Sequence, residues 1–150
     1  MAFYRSGTSL NRLQSLNLIR RFFTRRDDFT VKQTVEELGD KLSSSNVPEP
    51  HLSSKYLVSH VLGEVQAHGY LKFADQKLRE EQLSELNRLV NCRLARMPLQ
   101  YIVGSWDFRN IQLKLRPPVF IPRQETEQLV QIVLDSLPDD KPLRYLPTYL

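Results

Sequence analysis

The hydrophobic period of the chain changes near residue 105, and that change limits what it can fold into. Before it, apolar residues return every three or four positions, as on one face of a helix. After it, Ile111, Leu113 and Leu115 alternate with Gln112, Lys114 and Arg116, the pattern of a half-buried strand. Neither pattern keeps one apolar face in the other conformation. The expectation is therefore a mainly α fold: a small N-terminal helical bundle, then a β-hairpin, then one more helix.

Within the first part, residues 30–42 place Val31, Val35, Leu38 and Leu42 on one face, and Thr30 with Gln33 has the spacing of a capping box. "SSSNVPEP" is a turn cluster. Pro50 suits the first turn of a second helix, along which Leu52, Tyr56, Val61 and Val65 come roughly into phase. Gly69 interrupts that pattern, and Asp75 is placed to cap a new start. "LREEQLSELNRLVNCRLAR" carries Leu83, Leu86, Val90 and Leu94 on one stripe and must end before Pro98, because the residue before a proline resists the α region. The bundle so read spans 30–96, and the helical domain runs to 104.

The second part is expected to form a hairpin over 105–122, with Arg109-Asn110 as turn between Trp106–Phe108 and the alternating strand. Val119–Ile121 reads as a further short strand. Pro117, Pro118 and Pro122 lack a ladder donor and confine it to an edge or a strand end. A helix is expected over 124–137, burying Leu129, Ile132 or Val133, and Leu137, before Pro138 stops it.

Composition excludes several classes. With 150 residues, 41% hydrophobic and 25% charged, the chain is ordinary soluble protein. Its net charge of +4 is concentrated at the start: Arg5, Arg12, Arg20, Arg21, Arg25 and Arg26 precede the first acid, Asp27. An Arg-rich, Ser-containing, acid-free opening with Leu10, Leu13 and Leu16 at helical spacing has the composition of a mitochondrial transit peptide over residues 1–23, with a cut after Phe23 in "RRFFT". The competing reading is a basic arm for a membrane surface or RNA. No run approaches the length of a membrane span. No folded face gathers the Lys and Arg that nucleic acid requires, so direct nucleic-acid and membrane partners are not expected, and a monomer is. Cys92, the one cysteine, reads as a small buried helix residue. His51, His60 and His68 match no zinc spacing. No phosphate-cradling Gly loop and no Ser-His-Asp set is present, so no catalytic, cofactor-binding or metal residue is assigned. Glu125 and Glu127, two apart, face different sides of a helix and suit its N-terminal dipole.

The order of two segments is more specific. "RMPLQYIVGSWDF" and "IQLKLRPPVFIPRQETEQLV" resemble the HemK/PrmC-type release factor glutamine methyltransferases. The likeness is carried by Arg93 or Arg96 with Pro98, Leu99, Tyr101, Ile102, Gly104 and Phe108, then by Ile121, Pro122, Arg123, Glu125, Thr126, Glu127, Leu129 and Val130. Gln124 stands where the family usually has Pro. The resemblance implies a helical release-factor-binding domain over 30–104, a hairpin linker over 105–122 and the first helix of a Rossmann-like methyltransferase domain over 123–138. It implies that Pro122, Arg123, Glu125 and Thr126 lie on the active-site rim. It also implies a class 1 peptide chain release factor as partner, mitochondrial in keeping with the N-terminus. The reaction implied is methyl transfer from S-adenosylmethionine to the side-chain amide of the Gln in the Gly-Gly-Gln loop.

After "LDSLPDDKPLR" the family pattern continues into a Gly-x-Gly cofactor loop and, later, Asn-Pro-Pro-Tyr. This sequence reads "YLPTYL". The expectation is an N-terminal, substrate-recognition part with a divergent tail over 139–150, no Rossmann-like domain, no bound S-adenosylmethionine and no activity of its own. The alternative is a non-enzymatic helical partner-binding module in mitochondria. A further reading, an RNA-associated protein, rests on the basic start alone. Without a methyltransferase sheet, Leu129, Ile132, Val133 and Leu137, joined by Tyr145, Leu146, Tyr149 and Leu150, are expected to leave the C-terminal third loosely held.

Overall fold

The computed structural model describes residues 29–137. The expected transit segment at 1–23 and the divergent tail at 139–150 lie outside them. Among the described residues the fold is mainly α, with five α-helices, one 3-10 turn and one antiparallel hairpin. They form two compact units that divide between Val103 and Gly104.

The helical unit begins with α1 (Val31–Ser44). The capping box is present: Gln33 N–H donates to Thr30 Oγ1 at 3.3 Å, and Thr30 N–H donates to Gln33 Oε1 at 2.9 Å. Such a cap is worth about 1 kcal/mol. Two further donors of the first turn are satisfied from a distance, Val31 N–H by Gln76 O and Lys32 N–H by Ala74 O. Val31, Val35, Leu38 and Leu42 are all buried, as their spacing requires. Gly39 lies on the same face, and a Cβ there would stand 2.3 Å from His51 Nδ1. This glycine is therefore what lets the start of the second helix lie so close.

That helix, α2 (Pro50–Val61), has Pro50 in its first turn, as expected. Its buried face differs from the one the apolar spacing suggests. Leu52 is 38% exposed, and Val65, 51% exposed, lies beyond the helix end. Ser53, Ser54, Leu57, Val58 and Ser59 face inward instead. Small hydroxyls serve here because each is satisfied. Ser54 Oγ donates to His51 O, Ser53 Oγ accepts from Arg93 Nε, and Ser59 Oγ donates to Ala67 O while accepting from Tyr70 N–H. A buried hydroxyl with a partner carries little penalty and takes little room.

A 3-10 turn (Gly69–Phe73) follows, and then α3 (Glu80–Leu94). Asp75 does not cap α3: Arg79 occupies the cap position, its N–H donating to Gln82 Oε1 at 2.9 Å. The chain stays out of helix between because Ala74 and Gln76 give their carbonyls to α1, Thr30 bridges Lys77, and Leu78 is buried. The inward stripe of α3 is Leu86, Leu89, Val90 and Arg93, with Leu83 and Leu94 only half-buried. Cys92 is half-buried and free, less enclosed than its neighbours suggest. The short α4 (Leu99–Val103) completes the unit and buries Leu99 and Ile102. Leu38, Leu42, Leu57, Leu86 and Leu89 are fully enclosed, each contributing about 1.5–3 kcal/mol relative to exposure.

The second unit opens with β1 (Ser105–Phe108) paired antiparallel to β2 (Ile111–Lys114), in the register Trp106 with Leu113. Leu115 N–H extends the ladder to Gly104 O. Arg109 and Asn110 make the two-residue turn, with Arg109 at φ 52°, the left-handed geometry that matches the twist of a tight hairpin. The hairpin is shorter than expected. Val119–Ile121 forms no strand, since Val119 N–H is turned back onto Arg116 O at 2.8 Å and the flanking prolines have no N–H to pair. The unit ends with α5 (Gln124–Asp135), none of whose residues is buried. Leu129, Ile132, Val133 and Leu137, read from the sequence as buried, are exposed, Ile132 at 64%. Among the described residues no element covers the apolar side of α5, so its periodicity signals a face without supplying its cover.

Candidate functional site

The chain turns into α5 through Ile121, Pro122 and Arg123. Pro122 holds its own φ near that of extended chain and removes a donor. Arg123 keeps the same extended course, at φ −95° and ψ 159°, as the residue before the helix. Its side chain makes no cap bond, but its carbonyl accepts from Thr126 N–H at 3.0 Å and closes the first turn. Pro122, Arg123, Glu125 and Thr126 are thus brought together at one helix start, Pro122 half-buried and the other three exposed. Glu125 and Glu127 are both first-turn acids, favourable at the positive end of the helix dipole. They then separate, Glu125 to solvent and Glu127 to the hairpin.

That second contact was not readable from spacing. Arg109, at the hairpin tip, donates its backbone N–H to Glu127 Oε2 at 3.3 Å. Its guanidinium donates to Glu127 O at 3.2 Å and to Gln131 Oε1 at 2.6 Å, and Gln131 Nε2 continues to Asp135 Oδ1. The tip therefore fastens two turns of α5, and with them the helix start. A left-handed arginine at the turn, followed eighteen residues later by a glutamate, is the signal in retrospect. Chemically, the helix start offers a guanidinium, a carboxylate and a hydroxyl to solvent. Such a set can bind and orient, and nothing in it makes a nucleophile or a proton relay.

In the helical unit, the motif arginines explain themselves. Arg93 is 7% exposed, with no acid bonded to it. Its three donors go to Ser53 Oγ at 3.0 Å, Met97 O at 3.0 Å and Pro48 O at 2.8 Å. Burial pushes its pKa below the ordinary arginine value, Glu49 opposes this, and the neighbouring Arg96 adds to the lowering. An arginine keeps its proton regardless. The cost of burying it is met by three hydrogen bonds that join the α1–α2 loop to the turn after α3. Arg96 donates to Ser45 O at 3.0 Å and to Asn46 O, at the negative end of α1. Arg93 and Arg96, the alternatives for the motif arginine, are thus both hydrogen-bonded within the helical unit. Among the described residues no group of three or more His, Cys, Asp and Glu could hold a metal ion.

Against known proteins, residues 33–104 match the family described as the PrmC N-terminal domain. The chain is 47% identical over 93 residues to the MTRF1L release factor glutamine methyltransferase of Homo sapiens, which covers 61% of this chain and 27% of that protein. It is 34% identical over 107 residues to the release factor glutamine methyltransferase of Aliivibrio fischeri, covering 71% and 36% of the two. A bifunctional methyltransferase of Rickettsia prowazekii is 31% identical over 106 residues, 71% of this chain and 20% of that one. These matches take in well under half the length of each relative.

Proposed function

Because residues 33–104 belong to the PrmC N-terminal domain family, we propose that this chain supplies the substrate-recognition part of a protein-glutamine methyltransferase. The partner is a class 1 peptide chain release factor. The helical domain over 30–104 takes hold of it, the linker over 105–122, which contains the hairpin, leads onward, and 123–138 begins the methyltransferase domain. In the whole protein the reaction is methyl transfer from S-adenosylmethionine to the glutamine amide of the Gly-Gly-Gln loop. The observation that carries this reading is the match of 33–104, together with relatives named for release factor glutamine methylation.

Pro122, Arg123, Glu125 and Thr126 are proposed to line the rim where the glutamine enters. Amide nitrogen is a weak nucleophile, and positioning it is a large share of the catalysis. A helix start fastened to a hairpin by Arg109 suits that task. The described residues do not by themselves fit S-adenosylmethionine. Their glycines, Gly39, Gly63, Gly69 and Gly104, stand singly, so no glycine loop brings backbone up to a nucleoside. No step is therefore routed through the cofactor here. The Arg-rich residues 1–23 support a mitochondrial setting for both chain and partner.

Calorimetric titration of the chain with a mitochondrial class 1 release factor tests the reading. A saturable one-to-one isotherm is expected. The absence of binding would sink the recognition role and leave the alternative, a helical module for another mitochondrial partner. A fusion of residues 1–30 that stays in the cytosol would remove the mitochondrial part.

A further inference from the structure

Asn46, Glu49 and Arg96, the left-handed non-glycine residues described in the helical unit, share one corner, where α1 ends, α2 begins and α3 ends. Two have a local reason. Asn46 follows α1, with its N–H on Ser43 O and that of Val47 on Leu42 O, the arrangement in which a left-handed residue closes a helix. Arg96 follows α3 in the same way, Met97 N–H reaching Cys92 O, and its guanidinium returns to α1. Glu49 has no such reason. It sits at φ 49° and ψ 55° with a proline behind it, and its side chain caps nothing. No hydrogen bond or ion pair is formed by its carboxylate among the described residues, and its charge offsets part of the burial of Arg93. Glycine would hold this backbone more easily.

The surroundings fix Glu49 firmly. Arg93 ties down Pro48 O just before it, and Ser53 N–H donates to Glu49 O. Pro48 and Pro50 stiffen both sides. The rigid loop carries exposed apolar surface: Leu52 lies one turn further along α2, and Met97, whose carbonyl shares the Arg93 guanidinium with that of Pro48, is exposed beside exposed Pro98. A strained backbone held by its neighbours is characteristic of functional positions, and a loop whose backbone is fixed before contact loses little freedom on binding.

We infer that this corner is the surface through which the helical domain holds a release factor. Glu49 receives a basic side chain of the partner, and Leu52 and Met97 make the apolar contact next to it. The inference rests on the proposed recognition role. The opposite end of the unit serves as control. The 3-10 turn is tied to the start of α1, whose 14 residues separate it from the corner, a distance of about 20 Å.

The test titrates the full chain and its variants with a mitochondrial class 1 release factor at low and high salt. Glu49→Lys and the pair Leu52→Ser with Met97→Ser should each weaken binding about tenfold or more. Leu71→Ser, at the far end, should leave it unchanged. Glu49→Gly is the sharpest variant: its melting temperature should hold or rise, because the backbone relaxes, while binding weakens and loses part of its salt dependence. A Glu49→Gly chain that binds like the parent refutes the corner. So does weakening by Leu71→Ser alone, and in both cases the recognition role stands. A parent chain that does not bind at all refutes the recognition role and the corner with it.

Discussion

Leu38, Leu57 and Leu86 in the helical unit are sealed from water, whereas Leu129, Ile132 and Leu137 in the second unit stand open to it. Both sets come from sequences with good helical periodicity. The difference lies in what surrounds them. In the helical unit, α1 to α4 and the 3-10 turn supply each other's cover within a stretch of fewer than eighty residues. In the second unit, a hairpin of two four-residue strands and one helix cannot. Periodicity thus marks a face that wants cover and does not say where the cover is. Chemistry follows the same division. The helical unit satisfies its interior polar groups one by one, while the second unit presents its motif residues to solvent.

The largest test of this contrast is truncation on either side of it. Leu86→Ala should cost about 2–5 kcal/mol, the usual range for an enclosed leucine, whereas Leu129→Ala should stay within about 0.5 kcal/mol. Urea unfolding followed by hydrogen exchange at α3 and α5 measures both. Equal losses would mean that α5 has a core contact in solution that the described residues lack. Next, Arg93→Met removes three donors from Ser53, Met97 and Pro48, and should cost about 1–3 kcal/mol because acceptors lose their partners. Arg109→Met should cost less, since water can replace the partly exposed bonds of the hairpin tip, and should loosen α5 without touching α1.

A smaller effect should change sign. Gly39→Ala places a methyl against the His51 ring, and overpacking of this kind costs about 1 kcal/mol or more. With His51→Ala in the same chain, the clash disappears. The substitution at residue 39 should then stabilise, by up to about 1 kcal/mol, through alanine's better helix propensity. A Gly39→Ala loss that persists without the ring would put the close approach elsewhere.

The smallest expected effect is a pH slope confined to the helical unit, which holds all three histidines. Burial, with help from Arg88 and against Glu85, holds the His60 pKa below the ordinary value. The unfolded chain then takes up the proton first, at about pH 6.5. Stability is full above that pH and falls as acidification passes through the window down to the folded-state pKa. His60→Asn should flatten this part of the profile. Glu85, whose pKa is lowered chiefly by its hydrogen bond from Arg88, acts with the same sign only at more acidic pH.

Much of this was legible in the sequence, for reasons tied to particular residues. Val31, Val35, Leu38 and Leu42 could be placed because leucine and valine at helical spacing admit one reading, and Thr30 with Gln33 because a capping box is local. Pro50 and the Arg109-Asn110 turn were equally local. The inward face of α2 was hidden because its buried positions are serines, whose suitability depends on partners as distant as Arg93 and Tyr70. The missing strand at Val119–Ile121 shows proline overriding an apolar run. The motif residues of the candidate rim were found by order and resemblance, while Arg109 was missed because its bonds to Glu127 and Gln131 cross the hairpin.

One detail of α1 bears on how the chain leaves the ribosome. The N–H groups of Val31 and Lys32 find their acceptors only in Gln76 and Ala74. When α1 has been synthesised, those carbonyls do not yet exist. The capping box can start the helix, but its first turn stays partly bonded to water until the 3-10 turn emerges. The first turn of α1 is therefore completed only after residue 76 has been translated, and the core of the unit only after α3 and α4 have followed. Until then α1 has its cap but not the two long-range bonds of its first turn.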